Sequence, residues 1–336
     1  MKILVDAMGG DNAPGAIVNG CLEAILENSD FTIVLIGDKK QIEEILSKNE
    51  YDKHRIEIVN TTEVILNCEV PTKAIKNKTD SSMVVGFNML TEGKGQVFVS
   101  AGSSGALLAG SILIVKRIKG VERPALGSIL PTKTGRVMLL DSGLNTQCKP
   151  INYVQFGQLG SAYMRSMFEI ENPKVGLVNI GTEDEKGPDE VKEANELLRA
   201  SEVNFVGNIE GKDILEGIVD VVVTDGFTGN VILKLIEGAA SFFFGEIKGI
   251  FYKNIKTKLA ALAIKSELDD FKKKMDADTN GGAPILGVNC LVIKSHGSSK
   301  AKTIKHVVLK AYNLAKSSFL DDIKDEFSNK PRRTKL

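Results

Sequence analysis

The sequence predicts an α/β protein built on a mostly parallel sheet, and three observations carry the prediction. Apolar, β-branched runs of strand length alternate with segments of helical period through most of the chain. Strand after strand then ends in a turn rich in Gly, Ser, Asn and Asp, where open α/β sheets bind ligands. Finally, 336 residues of which 43% are hydrophobic suffice for one large α/β unit with a buried core.

Lys2 to Val5 reads as the first strand; it runs into Asp6, Gly9, Gly10, Asp11, Asn12 and Pro14 before a helix over Ala16 to Asn28. Phe31 to Ile36 is a strand, Lys39 to Lys48 a helix with Ile42, Ile45 and Leu46 on one face, and Arg55 to Val59 another strand. Asn60 to Asp80 reads as a long irregular excursion before a helix over Ser82 to Thr91. Gln96 to Val99 is a strand leading into the glycine-serine turn and apolar helix of residues 100 to 110. Leu126 to Leu130 and Arg136 to Leu140 read as strands joined by a hairpin across Thr132 to Gly135, the second ending in Asp141 to Asn145. A helix over Asn152 to Glu169 follows, then strands over Val175 to Asn179 and Val203 to Val206 that end in the turns 181 to 187 and 207 to 211. Val219 to Val223 ends in a polar turn over Asp225 to Asn230, and a helix is expected from Val231. Phe244, Ile247, Phe251, Ile255, Leu259 and Leu262 then recur at spacings of three and four, a stripe that predicts a projecting helical pair running to about Met275. Leu286 to Ile293 reads as a strand and Ala301 to Ser317 as the last helix. One large domain over residues 1 to 328 is expected, with 239 to 275 as its projection and a basic, disordered tail at 329 to 336.

Lys+Arg and Asp+Glu are both 43, so no global field selects nucleic acid, and none is expected as a partner. Cys21, Cys68, Cys148 and Cys290 include no C-x-x-C pair, which argues against a zinc knuckle or a disulfide framework and for reduced thiols. With no basic leader and no long apolar run, a soluble cytoplasmic protein is expected.

Neither G-x-x-x-x-G-K-[ST] nor G-x-G-x-x-G is present, so nucleotide binding by either standard route is unsupported. The glycine turns at helix starts, with amide and hydroxyl side chains, Lys186 and His296, suit a small tetrahedral anion such as phosphate or a phosphorylated substrate. Glu183, Asp184 and Glu185 are consecutive and diverge, so they read as a solvated loop; no metal and no cofactor are expected.

Seven stretches then act together: DAMGGDNAP (6 to 14), SAGSSGALLAG (100 to 110), DSGLN (141 to 145), VGLVNIGTEDEKG (175 to 187), NFVGNIEG (204 to 211), DGFTGNVILK (225 to 234) and GGAPILGVNCLVIKSHGSS (281 to 299). In this order they closely resemble the phosphate acyltransferase family of bacterial phospholipid synthesis, over nearly the whole chain. The resemblance implies a three-layer α/β/α fold similar to isopropylmalate dehydrogenases and phosphate acetyltransferases, and a homodimer. It implies transfer of a fatty acyl group from acyl carrier protein to inorganic phosphate, with the acyl phosphate passing to a downstream glycerol-3-phosphate acyltransferase. The family pattern has Asn-Thr where this chain has Ser103-Ser104 and Ala where it has Leu144, so the first serine loses an amide.

For that reaction, direct attack by bound phosphate on the thioester is expected, because phosphate is already largely dianionic near neutral pH. Lys186 and His296 are expected at the phosphate, with Ser298, Ser299 and the Gly102-Ser103-Ser104-Gly105 turn as further donors. Asn145 and Asn230, with Asn179, are candidates to polarise the carbonyl, Asp225 to orient a partner, and Asp6, Asn12 and Asp141 to line the substrate site. The rival route is an acyl-enzyme on Cys148, for which no partner His is identifiable. A dehydrogenase on the same fold and a non-catalytic lipid or carrier-protein scaffold are the alternative functions. The apolar stripe of the projecting segment is assigned first to dimer packing and second to peripheral membrane contact.

Overall fold

Residues alternate between the two faces of β1 (Lys2–Asp6), and both faces are covered, which fixes the layering. The computed structural model describes residues 1–268, 271 and 282–328. After β1 come α1 (Gly15–Glu27), β2 (Thr32–Gly37), α2 (Lys39–Leu46), β3 (Ile56–Asn60), α3 (Pro71–Asn77), α4 (Ser82–Thr91), β4 (Val97–Ser100) and α5 (Ser104–Gly110). The middle contains β5 (Ala125–Leu126), β6 (Ser128–Pro131), β7 (Arg136–Leu140), α6 (Pro150–Phe168), β8 (Lys174–Asn179), α7 (Asp189–Arg199), β9 (Asn204–Glu210) and β10 (Val221–Val223). The remainder is α8 (Gly226–Tyr252), α9 (Ile255–Ala263), β11 (Ala283–Leu286), β12 (Leu291–Lys294), α10 (Ala301–Lys316) and α11 (Phe319–Ser328).

Two sheets result. The first has the order β3-β2-β1-β4-β12-β11-β5 and the second β6-β7-β10-β8-β9. In the first, β3, β2, β1, β4 and β12 are parallel; in the second, β7, β10, β8 and β9 are. Ile3 and Val5 pack toward α1 and α10 among Ile17, Val18, Ile304 and Val307, whereas Leu4 packs toward α4 with Val84 and Phe87. The second sheet sets Met138, Val175 and Val221 against Phe156 and Leu159 of α6. Its other face holds Leu139, Ile209 and Val222, with Ile232 and Ile236 of α8 laid over them.

The alternating fold is as the sequence predicts, with local differences. The run 126 to 130 is broken at Gly127 into β5 and β6, one in each sheet; a Cβ at Gly127 would lie 2.8 Å from Met138 Cε. The run 286 to 293 is two strands, β11 and β12, paired antiparallel. The turn expected at 207 to 211 is still strand as far as Glu210, and the 60 to 80 excursion contains α3. Helices α7 and α11 also lie where the sequence reading placed none.

Helix α8 is 27 residues long and starts at Gly226 rather than Val231, so the expected 225 to 230 turn is in fact the helix's first turn. Of its residues only Gly226 and Gly229 are buried. Asn254 caps α9, accepting from Thr257 N at 3.0 Å, and Phe271 returns against Phe244 with ring centroids 5.5 Å apart, which gives the projecting helical pair. The rest of the segment to Met275, and the basic tail from 329, lie outside the described residues.

Phe98 of β4 is fully buried against α4, its ring tilted 57° to that of Phe87 with centroids 5.0 Å apart. Phe98→Ala is expected to lower the free energy of unfolding by about 3–5 kcal/mol in urea titration; a loss under about 1 kcal/mol would contradict this packing.

Candidate active site

Strand polarity brings the carboxyl ends of β1, β4 and β12 in the first sheet, and of β7, β8 and β10 in the second, to the loops picked out by the motifs. Within the first sheet three loops interlock. Ser100 Oγ donates to Asp6 Oδ2 at 2.7 Å and accepts from Gly102 N at 3.0 Å. Ser295 N donates to Ser100 O and Asp11 N to Gly297 O, each at 2.8 Å. Asn12 Nδ2 donates to the carbonyls of Ser298 at 3.0 Å and Ser299 at 3.2 Å. Gly10 has φ of +101°, and a Cβ there would lie 2.9 Å from Gly297 O, so the first loop can approach the last only as glycine. Asp6 is buried, and that burial raises its carboxyl above the usual range against the lowering effect of Ser82 and Ser100.

In the second sheet the organiser is Asp141, fully buried at the end of β7. Its Oδ1 accepts from Leu126 N at 3.0 Å, Gly143 N at 3.1 Å and Leu144 N at 3.1 Å. Its Oδ2 accepts from Asn145 N at 2.7 Å and Asn145 Nδ2 at 2.8 Å. Leu126 belongs to β5, so one carboxylate joins the rims of both sheets. Burial raises the Asp141 carboxyl, opposed by the N–H groups of Leu126 and Asn145. Helix α8 seats on this loop: Gly226 N donates to Asn145 O at 2.7 Å, and a Cβ at Gly226 would lie 2.6 Å from Asn145 N. A Cβ at Gly229 would overlap the Asp141 carbonyl oxygen.

These contacts divide the expected site residues by what their side chains touch. Asp225 caps α8, accepting from Phe227 N and Thr228 N at 2.9 Å each and from Thr228 Oγ1 at 2.7 Å. Asn145, expected at the substrate carbonyl, gives both amide hydrogens to the protein, to Asp141 Oδ2 and Pro124 O, each at 2.8 Å. Asn179 binds its own loop, donating to Lys186 O at 2.9 Å and accepting from Ile180 N at 2.8 Å. Ser103 is the N-cap of α5, accepting from Ala106 N at 3.4 Å, and Ser299 pairs with Ser295 at 2.9 Å. Asp6, Asn12, Asp141, Asp225, Asn145, Asn179, Ser103 and Ser299 thus hold loops in place, while Gly102 and Gly105 shape one.

The exposed remainder is Ser104, Lys186, Asn230, His296 and Ser298. Asn230 leans on the second-sheet loop, its Oδ1 3.4 Å from where a Cβ of Gly143 would stand. His296 Nδ1 and Ser298 Oγ are 2.8 Å apart. Lys186 lies against Gly181, and among the described residues no hydrogen bond joins it to His296. The cation beside His296 is instead Lys234 of α8, 3.3 Å from Nε2. The sequence reading passed over Lys234, although it closes the DGFTGNVILK motif one helical turn beyond Asn230. Asp184 is anchored by Arg199 Nη2 at 2.6 Å, so the acidic run 183 to 185 is part of a loop network. Among the described residues no group of three or more His, Cys, Asp or Glu could hold a metal ion.

Such a rim, with glycine-shaped loops and exposed hydroxyl, imidazole, amide and ammonium groups at the strand ends of an α/β core, has the chemistry that suits a small anion. The solved phosphotransacetylase of Streptococcus pyogenes has the same fold, with a TM-score of 0.62 at 16% identity over 94% of each chain. The 4-hydroxythreonine-4-phosphate dehydrogenase of Klebsiella pneumoniae is more distant, with a TM-score of 0.54 at 14% identity over 94% of this chain and 99% of that one. Residues 1–321 match the family described as "Fatty acid synthesis protein". The phosphate acyltransferase of Acetivibrio thermocellus is 60% identical over 98% of this chain and 97% of its own length. The chain therefore belongs to the phosphate acyltransferase family.

If Asp225 acts as a cap, Asp225→Asn is expected to keep stability and turnover, because Asn caps as well as Asp, whereas Asp225→Ala loses about 1–2 kcal/mol in urea titration. A fully stable Asp225→Asn enzyme without turnover would place the carboxylate in the chemistry.

Proposed function

We propose that the protein transfers a fatty acyl group from acyl carrier protein to inorganic phosphate, yielding an acyl phosphate for phospholipid synthesis. The observation that carries this reading is family membership across almost the whole chain, with the matching motifs folded onto one set of strand-end loops. The dehydrogenase alternative rests on fold likeness alone, and the scaffold alternative leaves the exposed polar rim without a role.

In this reading a phosphate oxygen attacks the thioester carbon, the carbon–sulfur bond breaks with its electron pair going to sulfur, and the proton of hydrogen phosphate passes to the thiolate. Acyl thioester plus HPO₄²⁻ gives acyl phosphate plus free thiol, balanced in atoms and charge. The protein's task is placement and charge stabilisation. His296 and Ser298 face the phosphate with the 102 to 105 turn. Lys186 and Asn230 stand on the second-sheet side toward the thioester, with Asp6, Asn12 and Asp141 fixing the loops beneath. A nucleophilic Cys148 is disfavoured on physical grounds: burial, then the charges of Asp141 and Asp225, push its thiol up to about 12, and the sulfur sits 3.6 Å from Asn145 O.

The exposed apolar residues of α8 and α9, including Phe242, Phe243, Ile250, Leu259 and Leu262, are proposed as the surface for a second copy of the chain, with peripheral membrane contact at the outer end. Phe227, Val231 and Leu235 continue this exposed apolar surface back to the capped start of α8, so it runs along the helix to the rim.

With acyl carrier protein thioester and phosphate, formation of acyl phosphate and free carrier thiol is expected; its absence in folded protein would refute the reading. His296→Ala is expected to lose activity by about tenfold or more at subsaturating phosphate, and Lys186→Ala by a similar factor at subsaturating acyl donor. Cys148→Ser is expected to keep full activity. Because a raised thiol pKa means less thiolate at every pH below it, Cys148 is expected to alkylate slowly at neutral pH and faster only toward about 12, followed by mass spectrometry. Rapid labelling of Cys148 at neutral pH would contradict this.

A further inference from the structure

We propose that Lys234 is a positioning residue of this site: braced by Glu237, its ammonium fixes the His296 ring so that Nδ1–H points at Ser298 and the Ser298 hydroxyl is left to donate to phosphate. The inference rests on the phosphate-transfer reading above.

Lys234 Nζ donates to Glu237 Oε2 at 2.7 Å and lies 3.3 Å from His296 Nε2. Glu237 follows Lys234 by three residues, so both stand on one face of α8. An ammonium has three donors and no acceptor, so the nitrogen facing it accepts and carries no proton. A neutral imidazole then holds its one proton on Nδ1, which is 2.8 Å from Ser298 Oγ and donates to it. A hydroxyl that accepts there turns its own O–H elsewhere, and Ser298 is exposed at the rim.

The arrangement has a competitor, which is why a fixing group matters. Ser298 N donates to the same Nδ1 at 3.3 Å, a bond that favours the other tautomer. In that tautomer Nδ1 accepts, the Ser298 hydroxyl is the donor into the ring, and it cannot point its proton at a ligand. Lys234 works against this state, because an Nε2–H would face an ammonium.

The charges around the ring come from three elements. Lys234 and Glu237 are on α8, and Lys294 is at the end of β12, its ammonium pushed below the usual lysine range first by burial and then by Lys234. Asp11 of the first loop has Oδ2 3.7 Å from where a Cβ at Gly297 would lie. Two lysines thus face two carboxylates around a neutral imidazole, so the corner carries no excess of negative charge against an incoming anion. No group is transferred to or from Lys234; its effect is exerted through His296.

The chain has three histidines, so His296 can be assigned by substitution and its tautomer read by long-range nitrogen–proton NMR at mildly alkaline pH. Wild-type protein is expected to show the Nδ1–H form and Lys234→Met a shift to Nε2–H. Lys234 is exposed, so the variant should fold; circular dichroism checks this. Lys234→Met is expected to raise the phosphate KM by about tenfold with a smaller change in KM for the acyl donor, and Lys234→Arg to restore most of it. Glu237→Gln is expected to fall between. An unchanged His296 tautomer in folded Lys234→Met, or a shifted tautomer with an unchanged phosphate KM, would overturn the proposal. If wild-type protein made no acyl phosphate, the transfer reading would fail, while the tautomer measurement would still report on the relay.

Discussion

The structure depends on one buried carboxylate. Asp141 accepts backbone hydrogen bonds from Leu126, Gly143, Leu144 and Asn145, and thereby ties β5 of one sheet to the end of β7 in the other. A charged group so deeply buried is stable only while these donors stay in place, and each N–H it satisfies would otherwise be a buried unpaired donor. Geometry therefore leaves the 141 to 145 loop very little freedom. Gly226 and Gly229 extend the constraint to α8, since no side chain fits between that helix and the loop. The position of Asn230 and Lys234 over the rim follows from the same contact.

A division of labour results. Six carboxylates and amides, Asp6, Asn12, Asp141, Asn145, Asn179 and Asp225, are taken up by the protein's own loops through hydrogen bonds to backbone. The groups left facing outward are few and are carried by neighbours already fixed: Ser298 follows Gly297, packed under the first loop, and Lys234 lies two turns into a capped helix. Preorganisation of this kind favours binding and transition-state stabilisation, because the loops lose little further freedom when substrate arrives.

Much of the architecture was legible from the chain. β7 and α4 have the bounds that the sequence reading gave them, and the alternation of apolar runs predicted the parallel pairing of β1, β2, β3 and β4. The split into two sheets was not legible, because it turns on Gly127, where the chain leaves one sheet for the other, and on pairings between distant segments. Helix α7 escaped notice because charged residues crowd its few apolar positions, Val191, Ala194, Leu197 and Leu198. Every loop of the site was marked by its residues, but the direction of each side chain was not. An Asp beside glycines suits a cap, a buried clamp or a substrate contact equally well; tertiary contacts made Asp225 the first and Asp141 the second. Lys234 was hidden for a related reason, since only the packing of α8 against the loop after β12 brings it to His296.

The most direct test of a phosphate site at this rim is a structure of the protein with inorganic phosphate bound. The phosphate is predicted to accept from Ser298 Oγ and from backbone N–H groups of the 102 to 105 turn, with His296 donating to Ser298 and the Asp141 clamp unchanged. Phosphate bound elsewhere on the protein, with these loops unliganded at saturating concentration, would contradict the assignment.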